Sequence, residues 1–242
     1  MGEAKRRQKT GQPAAVKRSP GKTPIVLGVV VVLVLILTVL YYVTRAPEPG
    51  SDSLPSVPPT AQPFPAQLDQ YGVALGDPDA PVVVREFADY QCPACARFSS
   101  ATERLKQEYV DTGEVRFVYF DLPLRQHENA FPAAMAARCA GDQEAYWAMH
   151  DHLFANQSEW SNSSSATEIF TRYAGDLGLD ERRFQRCMDT DLHREAVEQS
   201  RQVAMQLQVT STPTVLVDNI PLSQPGWAQL SAVVERELAK AE

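Results

Sequence analysis

Val82-Val83-Val84-Arg85-Glu86-Phe87-Ala88-Asp89-Tyr90-Gln91-Cys92-Pro93-Ala94-Cys95 joins a β-branched run to two cysteines at C-x-x-C spacing. The run from Val82 to Phe87 reads as a short central strand. A helix is expected next, reaching about Tyr109, and Pro93 suits its first turn, where no intrahelical N–H bond is lost. Helix N-termini present unpaired N–H groups and a partial positive charge, so a cysteine there is held towards its thiolate. Such a pair can pass between dithiol and disulfide. The same spacing also suits half of a zinc site or a static disulfide. Zinc normally takes four ligands. The remaining cysteines, Cys139 and Cys187, are not paired at short spacing, and no histidine neighbours the motif.

Downstream, Asp111-Thr112-Gly113 supplies turn chemistry, and Val115-Arg116-Phe117-Val118-Tyr119-Phe120 is a second strand. Strand, helix and strand at this spacing form a βαβ unit with parallel strands. A long helical region follows. Residues 129–140 are rich in alanine, and residues 143–154 repeat aromatics at near-helical spacing. Ser165 with Glu168 reads as a capping box, and Asp180 and Asp191 read as caps of two further helices. The chain then returns to β at Thr214-Val215-Leu216-Val217, turns at Asp218-Asn219, and ends on an amphipathic helix over 227–238. The order is β-α-β, helices, then β-β-α, an α/β class.

Upstream, the charge is unevenly divided. Residues 1–66 carry 8 Lys/Arg against 3 Asp/Glu, a net +5, and residues 67–242 carry 15 against 27, a net −12. So acidic a domain is a poor nucleic-acid binder, and no nucleic-acid partner is expected. Residues 1–24 form a polar basic tail, expected to be disordered and cytoplasmic. Residues 25–43 are 19 positions without a charge, about 28 Å as a helix and close to the hydrocarbon thickness of a bilayer. Seven basic residues precede this segment and only Arg45 follows closely. The positive-inside rule places the N-terminus in the cytoplasm and the remainder outside the cell membrane. The segment is longer than a cleaved signal core and lacks a good small-residue cleavage site, so it reads as a signal anchor, a single transmembrane helix. Residues 44–66 form a linker with seven prolines, an extended spacer. Residues 67–242 are enough for one well-buried domain.

Several stretches together resemble the DsbA-like thiol–disulfide oxidoreductases, in the membrane-tethered branch that includes BdbD-type proteins. They are Leu75-Gly76-Asp77-Pro78-Asp79-Ala80-Pro81, the run from Glu86 to Cys95, residues 129–140, Tyr146-Trp147-Ala148-Met149-His150-Asp151-His152-Leu153-Phe154, and Ser211-Thr212-Pro213-Thr214. The resemblance implies a thioredoxin fold with an inserted all-helical subdomain over about 124–208. It implies that Cys92 is the nucleophile and Cys95 the resolving thiol, and that Glu86 is a buried acid beneath them, able to take a proton from Cys95. A strand glutamate facing water is the other reading of Glu86. Arg85 must point to the opposite face, so one of the two charges has to be accommodated. Pro213 matches the family's cis-proline opposite the disulfide, which would turn Thr212 to offer its backbone to a substrate strand. Ser211 stands where many members have glycine, and serine needs an ordinary φ there. Ala94 cannot stabilise the thiolate as a histidine would, so a moderate oxidant is expected.

Cys139 and Cys187 fall in the helical insert with 47 residues between them. The resemblance supports a structural disulfide, for which chain-entropy models give about 4 kcal/mol. A redox relay and free buried thiols are the alternatives. His127, His150, His152 and His193 are read as surface or capping residues, and neither a metal site nor a cofactor is expected. The function that follows is a membrane-anchored, extracytoplasmic oxidoreductase that donates the Cys92–Cys95 disulfide to exported proteins bearing cysteines. A membrane quinone-linked thiol reoxidase, implied by the resemblance, would restore it. A reductase or isomerase kept reduced by a membrane electron donor is the rival of opposite direction. A thioredoxin-fold binding or chaperone module without redox turnover is the rival of another class.

Overall fold

The computed structural model describes residues 54–57 and 62–241, with Val34, Leu35 and Thr38 in addition. Contacts divide the chain into two units, Met1–Asp52 and Ser53–Glu242. In the first unit Val34, Leu35 and Thr38 are helical. The rest of the expected span at 25–43, the basic tail and much of the linker lie outside the described residues. Among the described residues, no helix is long and apolar enough to cross a membrane.

The second unit is built on five strands: β1 (Val73–Leu75), β2 (Val82–Ala88), β3 (Val115–Asp121), β4 (Thr214–Val217) and β5 (Ile220–Pro221). Their order in the sheet is β1-β3-β2-β4-β5. β2 pairs parallel to β3 and antiparallel to β4, so it has a neighbour on each side. A centrally placed strand with both faces covered reads as a near-continuous apolar run, which explains its Val-rich sequence. β1 escapes sequence reading because three residues are too few to show alternation. It runs antiparallel to β3. Gly76 follows it at φ +94°, where a Cβ would lie 2.8 Å from both Val110 Cγ1 and the Val115 carbonyl oxygen. Only glycine fits that close turn.

Helix α1 (Pro93–Leu105) follows β2, and its last turn widens over Lys106–Val110 so that the Asp111 N–H reaches back to the Lys106 carbonyl at 2.9 Å. Six helices lie between β3 and β4: α2 (Ala130–Gly141), α3 (Tyr146–Ala155), α4 (Gln157–Trp160), α5 (Ala166–Asp176), α6 (Glu181–Asp189) and α7 (Arg194–Gln206). Helix α8 (Trp227–Ala241) closes the chain. Asp180 caps α6 by accepting from the Arg183 N–H at 3.0 Å. The other two expected caps are not made. The Ser165 side chain makes no cap bond, and the Glu168 N–H goes to the Ser165 backbone oxygen instead. Asp191 sits at φ +52° in the tight α6–α7 connection, so α7 begins only after His193. Cys139 of α2 and Cys187 of α6 are joined by a disulfide.

Alternation along β2 sends Val82, Val84, Glu86 and Ala88 to one face, and Val83, Arg85 and Phe87 to the other. The first face packs on α1 and the insert helices, and the second on Leu68, Val118, Phe120, Val203 and Ala204. Both central charges are therefore buried, at 5% exposure for Arg85 and 1% for Glu86. Arg85 is accommodated by Asp69, with Nε to Oδ1 at 2.7 Å and Nη2 to Oδ2 at 2.8 Å. Its guanidinium also lies 4.1 Å from the centroid of the Phe64 ring.

A buried, two-pronged pair is very sensitive to losing one partner. Asp69→Asn should destabilise the domain by about 3–5 kcal/mol in urea titration. Glu108→Gln, which breaks the exposed pair with Arg104 at 2.8 Å, should change stability by less than about 1 kcal/mol. Equal effects of the two substitutions would contradict the burial argument.

Candidate active site

The β2–α1 connection is shaped by one side chain. Asp89 accepts from the Gln91 N–H at 2.7 Å through Oδ1. Its Oδ2 accepts from the Leu124 N–H at 2.9 Å and lies 2.7 Å from His127 Nδ1. The Asp89 carbonyl accepts from the Cys92 N–H at 3.0 Å. This local turn fixes where α1 begins, with Cys92 at its N-cap. Two glutamines tie the same loop to the insert, one from each side. Gln157 Nε2 donates to the Tyr90 carbonyl at 2.6 Å and to the Cys92 carbonyl at 3.0 Å. Gln91 donates to the Ser161 carbonyl at 2.6 Å and accepts from the Asn129 N–H at 2.7 Å.

Cys92 and Cys95 are both thiols in this structure, with Cys92 8% exposed and Cys95 fully buried. Cys92 Sγ lies 3.6 Å from the Thr212 carbonyl oxygen, and the Thr212–Pro213 peptide bond is cis. The substrate-facing backbone expected at Thr212 and Pro213 is thus beside the outer sulfur. Ser211 is not among the residues with positive φ, and its carbonyl accepts from the Thr214 hydroxyl at 2.7 Å.

The two sulfurs have opposite electrostatics. The Cys92 thiol is lowered to about 4, first by a hydrogen bond from the Cys95 S–H, against the effect of burial. The Thr212 side chain and the backbone N–H groups of Cys95 and Ala94 add to the lowering. The Thr212 hydroxyl is buried with no hydrogen-bond partner among the described residues, which leaves it free to turn towards the sulfur. Ala94 therefore contributes through its backbone, and the thiolate is strongly favoured without a histidine side chain. Cys95 is pushed in the other direction, far up, first by burial and then by its bond to Cys92 and by the charge of Glu86.

Glu86 is beneath them on β2. Its Oε2 accepts from the Thr102 hydroxyl of α1 at 2.9 Å. Burial raises its carboxyl to about 7, opposed by the Thr102 bond and by the charge of Lys106. The Lys106 ammonium is itself held by Asp151 of the insert, at 2.5 and 2.6 Å. Sequence reading missed Asp89, Gln91, Gln157 and the Lys106–Asp151 pair. For Asp89 a signal exists, because an aspartate just past a strand end favours an Asx turn. The others act across the fold, 38–70 residues away for the glutamine contacts, and no local pattern marks them.

The histidines are dispersed. His127 pairs with Asp89, and His152 meets the Tyr173 ring edge-on at 4.3 Å. His150 corrects the surface reading: it is 1% exposed among Tyr90, Tyr119, Trp147 and Phe154. Burial lowers its pKa, against the pull of Asp151 at 2.9 Å. Helical spacing carried this residue inward with its aromatic neighbours.

A family model described as thioredoxin matches residues 69–236. A thioredoxin-like oxidoreductase from Silicibacter pomeroyi DSS-3 is 31% identical with a TM-score of 0.58, over 74% of this chain and 99% of that one. Oxidised BdbD from Bacillus subtilis shares the fold at a TM-score of 0.64 and 23% identity, over 74% of this chain and 97% of its own. The probable disulfide bond formation protein D of Bacillus anthracis is 29% identical over 171 residues, 69% of this chain and 78% of that protein. The chain belongs to the DsbA-like thioredoxin family, with a thioredoxin-like α/β fold carrying a helical insert, and is a protein thiol–disulfide oxidoreductase.

Two measurements probe the electrostatics. In the reduced protein, ultraviolet thiolate absorbance should titrate with a midpoint near about 4. Thr212→Val should move that midpoint upward, and an unmoved midpoint would remove the hydroxyl from the account. Glu86 has a folded pKa of about 7 against an ordinary 4.5. Its neutral form therefore supports the fold at low pH, and that contribution is lost as pH rises from 4.5 through about 7. Relative to wild type, reduced Glu86→Gln should gain stability over this window, by up to about 3 kcal/mol. A pH-independent difference in urea titrations would contradict it.

Proposed function

We propose that the chain is a membrane-anchored, extracytoplasmic dithiol oxidase that passes the Cys92–Cys95 disulfide to exported proteins. The observation carrying this reading is the opposite shift of the two sulfurs one helical turn apart. A stable Cys92 thiolate stabilises the reduced dithiol, and a stabilised reduced form makes the disulfide a stronger oxidant. The similar Bacillus anthracis protein is a probable disulfide bond formation protein, which supports the same direction.

The cycle follows from the geometry. A substrate thiolate attacks Cys92 Sγ of the disulfide, forming a mixed disulfide and breaking the Cys92–Cys95 bond. Cys95 leaves as a buried thiolate, which its surroundings disfavour, and takes a proton. Glu86 is the proton donor: at about 7 it is partly protonated at neutral pH, and its charge is felt at Cys95. A second substrate thiolate attacks the substrate sulfur of the mixed disulfide, and Cys92 leaves as a stable thiolate. Two electrons have then passed from the substrate dithiol to the enzyme. Reoxidation runs in reverse, with Glu86 accepting the Cys95 proton, and a membrane quinone-linked reoxidase takes the electrons.

The cis Thr212–Pro213 bond aligns an extended substrate segment beside Cys92, with Thr212 backbone as its partner. The Cys139–Cys187 disulfide holds the insert and takes no part in turnover. The domain occupies about 67–242, tethered by a proline-rich linker at 44–66 to a transmembrane anchor at 25–43, with residues 1–24 in the cytoplasm.

Thiol trapping in intact cells tests the direction. Cys92 and Cys95 should be mostly oxidised at steady state. A mostly reduced pair would indicate a reductase or isomerase. Cys92→Ala should abolish oxidation of a reduced model substrate while leaving thermal unfolding unchanged within about 1 kcal/mol. Full function of that variant would indicate a binding or chaperone module. Glu86→Gln should slow release of the Cys95 thiolate by about 10-fold or more, the scale of general acid catalysis, with the Cys92 titration little changed.

A further inference from the structure

The Cys139–Cys187 disulfide is not isolated from other metal-ligating groups. Cys139 lies in the last turn of α2, Cys187 lies in α6, and His193 immediately precedes α7. One ligand atom from each of the three lies within 4.8 Å of the others. Asp142, just past α2, completes the group. Its Oδ2 is 3.0 Å from His193 Nε2 and 3.6 Å from Cys187 Sγ. We propose that, when this disulfide is reduced, Cys139, Cys187, His193 and Asp142 form a binding site for a thiophilic divalent cation such as Zn2+, so that the insert is stapled either by a disulfide or by a metal.

The geometry favours this more than a chance grouping would. Zinc bonds of about 2.3 Å to sulfur and about 2.0–2.1 Å to nitrogen or oxygen, set tetrahedrally, separate neighbouring ligand atoms by about 3.3–3.8 Å. The Asp142–Cys187 separation is already in that range, and the Asp142–His193 separation is slightly short of it. The two cysteine Cα atoms are 5.8 Å apart, so side-chain rotation alone can open the sulfurs to a shared ion. Helices α2, α6 and the start of α7 hold the backbone in place around it. The Cys187 carbonyl is fixed by the Leu192 N–H at 3.2 Å, on the loop that carries His193. The side chains of His193 and Asp142 keep 24% and 30% exposure, which gives an ion a path from solvent to the buried sulfurs. Arg183 donates to the Asp142 backbone carbonyl at 2.6 Å, and the Asp142 carboxylate faces His193 and Cys187 instead.

The chemistry balances with a named reductant. An external dithiol reduces the Cys139–Cys187 bond, supplies two electrons and becomes a disulfide. Both cysteines are then thiols. Binding of Zn2+ displaces both thiol protons to solvent, and two thiolates, one carboxylate and one neutral imidazole surround the ion. An external disulfide takes the two electrons back, becomes a dithiol, re-forms the Cys139–Cys187 bond and expels the metal, so the two staples are mutually exclusive.

The test uses the full-length chain carrying Cys92→Ala and Cys95→Ala, so that no other thiols compete. The protein is reduced with a phosphine, desalted without oxygen, and titrated with Co2+ and then with Zn2+ against a chromophoric chelator. The reduced protein should bind about one equivalent and show thiolate-to-cobalt charge-transfer bands, and the oxidised protein should show neither. His193→Ala should weaken Zn2+ binding by at least about 10-fold. Absence of the bands after reduction, or an unchanged affinity in His193→Ala, overturns the proposal. Should reduction loosen the insert, Zn2+ should raise the Tm of the reduced protein above its metal-free value, and no rise overturns it equally.

Discussion

Cys92 stands where the S–H of Cys95, the Thr212 side chain and two N–H groups of the first turn of α1 converge on one sulfur. The donors exist only if α1 starts at Cys92 and the cis Thr212–Pro213 bond approaches it. Both conditions are met by structure distant in sequence. Asp89 sets the turn that starts the helix, and Gln157 and Gln91 tie that turn to the insert. The insert is thus part of the redox site as well as a cover over it.

The sheet supplies a second constraint through its alternation. Successive side chains of β2 point to opposite faces, so Arg85 and Glu86 must be buried in different surroundings. Arg85 is fully paired by Asp69 and serves the fold. Glu86 receives only a neutral hydroxyl and is left close to neutral pH, where a carboxyl can both give and take a proton. Lys106 is near enough to lower it, yet its direct hydrogen bonds go to Asp151. One adjacent pair of residues is thereby divided between stability and, in the proposed cycle, proton transfer.

Much of this was legible in the sequence because it rests on short-range chemistry. The Val-rich strand, Pro93 in the first helical turn and the spacing of Cys92 and Cys95 specify the strand–helix junction. The family resemblance added Glu86 and Pro213, whose placement depends on contacts far along the chain. The misses have physical reasons. β1 is too short to carry a period. Asp191 is an adequate cap in isolation, but the tight turn after α6 forces it to positive φ. His150 reads as polar, yet its helical phase takes it into an aromatic cluster. Asp142 follows Cys139 at the end of α2 and His193 follows Cys187 after α6, so the two halves of the group meet only in three dimensions.

The proposed donor direction rests on stabilisation of the Cys92 thiolate, and the reduction potential of the Cys92–Cys95 pair, measured by equilibration with glutathione in the full-length protein, reads that stabilisation out. The expected value lies well above that of thioredoxin, on the oxidising side of it. A value near about −270 mV, that of thioredoxin itself, would contradict it.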